Sequence, residues 1–259
     1  MSTNPYAAPK AQVADETVVL RSTLIPGGQT VPAGHGWTWI AEAWGLFKAH
    51  IGAWIAMIIV LGLIFIGMSL IPFIGALATF VLAPVFTGGL MRACRTIDEG
   101  GEMRFSQLFS GFEQRFGPLA LIGVVYLAAT VLILLVAALV TGVGMFTFLG
   151  VGGGSPAALA AAGVAVLLAI LIVLALMVPL FMAIWFAPAL VVFHDLPAVE
   201  AMQQSFTGCL KNIAPFLIYG LIMFGFSILA SIPLFLGWLV LGPVMAASIY
   251  TGYRDIYLS

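Results

Sequence analysis

An all-α, polytopic bundle of transmembrane helices is the fold class this sequence predicts, and three observations predict it. Hydrophobic residues fill 63% of the 259 positions and charged residues only 7%, where a soluble domain carries roughly 25% charged residues. The charges are confined to short stretches: 43 residues between Lys48 and Arg92, 79 between Arg115 and Asp195 and 42 between Lys211 and Arg254 contain no Asp, Glu, Lys or Arg. Each of those apolar runs also carries a proline in a similar setting, VLAPVF at 81–86, FAPAL at 186–190 and LGPVM at 241–245. A spanning helix takes about 20 apolar residues. The first and third runs therefore each hold two spans and a tight turn, and the middle run holds two long spans or four short ones.

Residues 1–34, opening MSTNPYAAPKAQVADE, lack the apolar stretch and cleavage site of a signal peptide. Their Pro, Ala, Gly and polar content predicts a disordered cytoplasmic tail. Residues 35–259 then form a single membrane domain in which one unit occurs three times, over about 37–93, 102–194 and 199–255. The units align on Ile51, Phe116 and Ile213, each at the start of an apolar run. Ahead of these lie Ile40, Trp44 and Phe47, then Phe105, Phe109 and Phe112, then Met202, Phe206 and Cys209. Offsets of four and three residues set each trio on one helix face. Each unit thus begins with a short amphipathic interfacial helix, too short and too polar to span, followed by two spans. Six spans in three helical hairpins result.

Outer turns are expected near Pro72 and Pro233, and in the middle unit at the glycine-rich stretch 150–156, which makes Pro179 a kink within a long fourth helix. Two extra short spans in the middle unit are the alternative. An even number of crossings per run puts all nine Lys and Arg on one side (Lys10, Arg21, Lys48, Arg92, Arg95, Arg104, Arg115, Lys211 and Arg254). The positive-inside rule makes that side cytoplasmic, with both termini there.

Pro84, Pro188 and Pro243 lie 8, 7 and 11 residues before the next charge. Each removes an N–H and frees the carbonyl four residues earlier, on Phe80, Ile184 and Leu239. Such a carbonyl needs a partner in hydrocarbon, so these kinks belong where helices face one another. Either they gate a cavity open to the cytoplasm, or they curve helices so that the bundle packs; the second is favoured.

The chemistry-bearing residues exclude more than they assign. A net charge of −1 leaves no basic field for nucleic acid. Intramembrane charge, the mark of ion-coupled transport, is missing from the runs, whose polar groups are hydroxyls such as Thr79, Thr130, Thr141, Tyr219 and Ser248. No HExxH or GxSxG pattern occurs. His35, His50 and His194 fall at the cytoplasmic boundary in different contexts, and two lone cysteines, Cys94 and Cys209, fall short of a metal site. No catalytic residue, cofactor or metal is expected. The candidates that remain are the three prolines as kinks, and interfacial contacts from Trp44, Phe47, Phe109, Phe112, Phe206, Tyr253 and Arg254. The stripe Trp37, Ile40, Trp44, Phe47 and Ile51 suits the headgroup region, and Tyr250, Tyr253 and Tyr257 around Arg254 suit an aromatic belt.

The stretches VPAGHGWTWIAEAWGLFKAHIGAWI, WFAPALVVFHD and SIYTGYRDIY resemble a proteobacterial family of uncharacterised multi-span inner-membrane proteins, over about Val31 to Tyr257. The closing Y-R-D-I-Y is the most specific part of the likeness. More distantly, the unit is similar to the membrane domain accompanying some glycerophosphodiester phosphodiesterases, whose soluble catalytic domain is missing here. The resemblance implies a bacterial inner membrane and an integral helical fold, and carries over no site residues. The expected function is that of a non-enzymatic inner-membrane protein in envelope or lipid-linked processes. Membrane lipids are the partners, with another membrane or cytoplasmic protein as an open addition. The alternative is a permease or channel for a small or apolar solute, gated by the prolines.

Overall fold

The computed structural model describes residues 23–150 and 155–259. Among these, ten α-helices form: α1 (His35–Ala49), α2 (Ile51–Ser69), α3 (Ile74–Asp98), α4 (Ser110–Gln114), α5 (Phe116–Gly150), α6 (Pro156–Trp185), α7 (Ala187–His194), α8 (Ala198–Lys211), α9 (Ile213–Ser231) and α10 (Trp238–Tyr257). A 3-10 turn over Phe105–Phe109 runs into α4. The protein is an all-α membrane bundle. Five stretches among the described residues are long and apolar enough to cross a bilayer: Ile51–Ser69, Ile74–Asp98, Phe116–Gly150, Pro156–His194 and Ile213–Ser231. The sixth expected span, α10, has the length, with 20 residues, but its last turns hold Arg254 and Asp255 and dilute its hydropathy.

Each unit changes from amphipathic helix to long apolar helix across one residue, and the backbone bends the same way each time. His50 (φ −143°, ψ 52°), Arg115 (φ −140°, ψ 30°) and Asn212 (φ −119°, ψ 34°) hold these links. The contacts then close a ring. α1 packs on α9 and α10, the 3-10 turn packs on α2 and α3 with α4 on α3, and α8 packs on α5, α6 and α7. Every amphipathic segment therefore rests on the spans of the unit before it, and the first rests on the last. Such an exchange lets no unit bury its apolar face alone.

The axis of the ring is filled. Val85, Met91 and Cys94 of α3, Leu190 and Val191 of α7, and Ala247 of α10 have no exposed surface. α5 and α6 depart from the other pairs in length. At ~1.5 Å per residue α5 is ~52 Å long, well beyond the ~30 Å hydrocarbon core. The two helices close on small residues, Ala137 and Gly144 against Ala158, Ala165 and Ala169, the packing that suits helices in lipid.

The middle apolar run is two long helices rather than four short ones. α6 starts at Pro156 with the Ser155 hydroxyl accepting from Ala158 N–H (3.2 Å), and Pro179 lies inside it. Most of the glycine-rich turn expected there, 151–154, is outside the described residues. The other turns are Leu70–Phe73 and Ile232–Gly237, with Phe73, Leu234 and Phe235 at positive φ.

Two expectations need correction. The amphipathic segment of the middle unit is not a three-turn α-helix. Gln107 diverts its start into a 3-10 turn by accepting from Arg104 N–H (2.9 Å) and donating to the Thr96 hydroxyl (2.6 Å). Nor does a disordered tail run to residue 34. Residues 1–22 lie outside the described part, but the segment from Thr23 is a strap fixed across the charged end. Leu24 forms an antiparallel bridge with Leu258, Ile25 N–H donates to Tyr257 O (2.8 Å), and Gln29 N–H donates to Ile256 O (2.9 Å). Asn212, fully buried, accepts from Val31 N–H (2.8 Å) and donates to Gln29 O (2.8 Å) and Gly208 O (2.9 Å).

Candidate functional site

The polar groups converge at the charged end of the ring, and α10 is their hub. Its register follows from the apolar side Leu241, Val244, Ala247 and Ser248, which continues one and two turns on as Thr251 and Tyr253–Arg254. Arg254 Nη2 donates to Glu42 Oε2 of α1 (2.8 Å), and Nη1 pairs with Asp98 Oδ1 at the end of α3. Tyr250 donates its hydroxyl to the other oxygen of Asp98 (2.9 Å). Asp255 accepts from Trp39 Nε1 (2.7 Å) and lies 2.8 Å from His35 Nδ1. The Tyr253 hydroxyl is 2.6 Å from His194 Nε2 at the end of α7, and Tyr257 donates to Gln204 O of α8 (2.8 Å). One helix end is thereby bonded to both other units and to the first amphipathic helix.

The structure relocates several expected interfacial contacts. Tyr250, Tyr253 and Tyr257 are buried, so they form no aromatic belt. Their rings pack on Phe193, Phe186 and one another, and their hydroxyls are held inside. Phe47 is buried with Trp39 and Ile40, whereas Trp37, Trp44 and Ile51 face outward. The expected lipid stripe of α1 is thus divided between core and surface, since that helix has the ring on one side and surroundings on the other. Phe109, Phe112 and Phe206 are half-buried, the first two beside Phe86. Arg254 is half-buried in its ion pairs.

All three prolines face protein. Pro188 and Pro243 are buried and Pro84 half-buried. Pro84 and Pro243 sit within continuous helices, while Pro188 coincides with a full break between α6 and α7. The break is bridged from α8: the Ser205 hydroxyl accepts from Phe186 N–H (3.0 Å) and donates to Met182 O (2.7 Å). A hydroxyl inserted into the ladder is one of the recognised causes of a helix kink. At Pro84, Gly123 of α5 brings its backbone against the freed Phe80 carbonyl, near enough for a Cα–H···O contact.

Sequence reasoning missed Asn212, Ser205, Asp98, Glu42 and Asp255. A signal for Asn212 existed, because it occupies the linking position shared with His50 and Arg115. Ser205 and Asp98 gave none, since their partners lie 19 and 156 residues away. Among the described residues no group of three or more His, Cys, Asp or Glu is placed to hold a metal ion.

No protein-family model matches the chain, and no solved structure matches it. Over 208 residues the chain is 31% identical to a Burkholderia thailandensis protein described as a probable inner membrane protein, an alignment covering 76% of this chain and 75% of that one.

Proposed function

We propose a function from the premise that this chain belongs to the family of that Burkholderia thailandensis protein and is a multi-pass protein of the inner membrane. The function is a non-enzymatic one, in envelope or lipid-linked processes, carried out by a rigid bundle whose outer surface meets lipid. The observation that carries it is how the hydroxyls are engaged. Thr79, Thr87, Thr141, Ser227 and Ser231 donate to carbonyls of their own helices, and Tyr219 pairs with Ser248 at 2.7 Å. These groups face their own backbones rather than a shared path, which favours this reading over a permease. Outside, the equivalent residues Ile51, Phe116 and Ile213 are 46%, 45% and 49% exposed. They form a threefold apolar girdle at the level of the charged end. Isolation in native nanodiscs should retain phospholipid through exchange and washing. A preparation that keeps neither lipid nor a protein partner would overturn the reading.

Six spans with both termini cytoplasmic are part of the proposal, α10 being the sixth, in three hairpins. A parity argument supports the count. Leu24 and Leu258 are bridged, so the described chain starts and ends on one face, which needs an even number of crossings. Five apolar helices and α10 meet that need. The repeated unit is taken as the kind that accompanies some glycerophosphodiester phosphodiesterases, and the closing Y-R-D-I-Y as its family mark.

The orientation is testable by labelling. A cysteine placed at Leu234, 88% exposed in its turn, should react with an impermeant maleimide added outside intact spheroplasts. Reaction only after lysis would reverse the topology. The native thiols should stay silent. Cys94 and Cys209 are buried, and burial pushes the Cys209 thiol up to about 12, so near pH 8 it is protonated and unreactive.

A further inference from the structure

We propose that the surface at the charged end where α3, α5 and α7 meet binds a phosphate group, with the guanidiniums of Arg92 and Arg115 as its receptors. The inference rests on the lipid-associated reading above and names the headgroup chemistry that surface would select.

The level of this surface follows from the layer beneath it. A Cβ on Gly88 of α3 would lie 2.9 Å from Leu119 Cδ1 of α5 and 3.0 Å from Val192 Cγ2 of α7. These three residues therefore share one layer, and Leu119 and Val192 are buried in it. One turn nearer the charged end along each helix come Arg92, Arg115 and Asp195. The ion pair between Arg115 and Asp195 shows that those two meet.

The charges in this layer are unbalanced. Arg95, one turn beyond Arg92, is paired with Glu99 (2.7 Å), and Arg115 with Asp195. Arg92 has no carboxylate partner among the described residues, and Arg95 and Arg115 both repel it. Its Nε is buried without a hydrogen-bond partner. An orphaned donor inside a like-charged group is costly as it stands. A tetrahedral anion would accept from Arg92 and Arg115 together and relieve the repulsion, and guanidinium is the side chain best suited to it. Asp195, largely exposed beside Arg115, is free to give way. Phe116, exposed toward the bilayer next to Arg115, lies where the chains of a phospholipid would run from such a headgroup. Basic pockets between spans on the cytoplasmic side are a recurrent form of anionic-lipid site.

The test uses the full chain in nanodiscs of dioleoylphosphatidylcholine with a minor share of dioleoylphosphatidylglycerol, and reads the enrichment of the anionic lipid on the protein. Wild type should enrich it. Arg92→Gln with Arg115→Gln should lower its affinity by about tenfold or more, a loss of about 1.4 kcal/mol, while Lys48→Gln, at the exposed end of α1, should not. Arg92→Gln alone should melt no lower than wild type in pure phosphatidylcholine, because it removes a repelled charge. This separates loss of a site from loss of fold. Inorganic phosphate, titrated in detergent, distinguishes the sources. If it binds wild type and displaces phosphatidylglycerol, while the double variant binds neither, the receptor is assigned and its ligand is the free anion. Unchanged enrichment in the double variant, or no binding of either anion to wild type, overturns the proposal. Bulk lipid retained by a double variant that has lost the preference leaves the broader lipid reading standing. Wild type that retains no lipid but binds phosphate sinks that reading and spares this one.

Discussion

Gly36→Leu should prevent the ring from closing and cost more than about 4 kcal/mol, at the severe end of what single substitutions do. At Gly36 α1 crosses α9 so closely that a Cβ would lie against the Pro215 carbonyl oxygen and 2.8 Å from the Tyr219 nitrogen. Both obstacles are backbone, so no change of rotamer relieves them and the helices must separate. Separation would withdraw Trp39 from Phe216 and Tyr219 and pull Glu42 from Arg254, because these contacts all depend on α1 lying on the third unit. The expected readout is loss of a monodisperse peak in mild detergent. Gly45→Leu, on the same helix but facing open space, should behave as wild type. Equal damage from both would mean that helix composition, not the crossing, matters.

Asn212→Leu should cost about 2–4 kcal/mol, and its signature should be local before it is global. The side chain keeps the bulk but loses all three hydrogen bonds. That leaves Val31 N–H and the Gln29 and Gly208 carbonyls to find partners, at about 1–3 kcal/mol for each buried group left unmade. Water can reach Gln29, which is exposed, but not Val31, which is buried. The strap should come loose while α8 and α9 persist. Cleavage by a protease of moderate specificity should then appear near residues 23–34 well below the melting temperature. Asn212→Asp tests the donors separately, because it preserves the acceptor for Val31 and removes both donations. An Asn212→Leu protein whose strap resists protease as well as wild type would show that Lys211, whose Nζ donates to Gly28 O (2.8 Å), suffices to hold it.

Much of the bundle was legible because lipid imposes one-dimensional rules. Where charges stop and start marks helix ends, and the prolines in VLAPVF and LGPVM do fall within helices directed at protein. What periodicity lacks is the identity of the neighbour. Trp37, Ile40, Trp44 and Phe47 are spaced as one apolar stripe, yet Ile40 and Phe47 are buried while Trp37 and Trp44 face outward. The same blindness applies to Tyr250, Tyr253 and Tyr257. A tyrosine with its ring in a core and its hydroxyl on a buried acceptor has the same sequence spacing as one at a membrane boundary. Proline position gave the kink at 188 but not its form, which depends on a serine delivered by another helix. Repeat alignment, by contrast, held an unread signal for Asn212. Its equivalents His50 and Arg115 take the same bend with unrelated side chains, so the bend is the conserved geometry of the unit and the asparagine is an addition specific to the last one.

The Thr23 hydroxyl touches that of Ser259 at 2.7 Å, and this adjacency frees the order of synthesis from the order of assembly. A circularly permuted gene, with residues 1–22 removed, a short linker joining Ser259 to Thr23 and a new start opened between Glu99 and Arg104, would translate the second unit first and the original first unit last. If the three units are interchangeable members of a cycle, that rearranged polypeptide should insert and assemble as the natural one does.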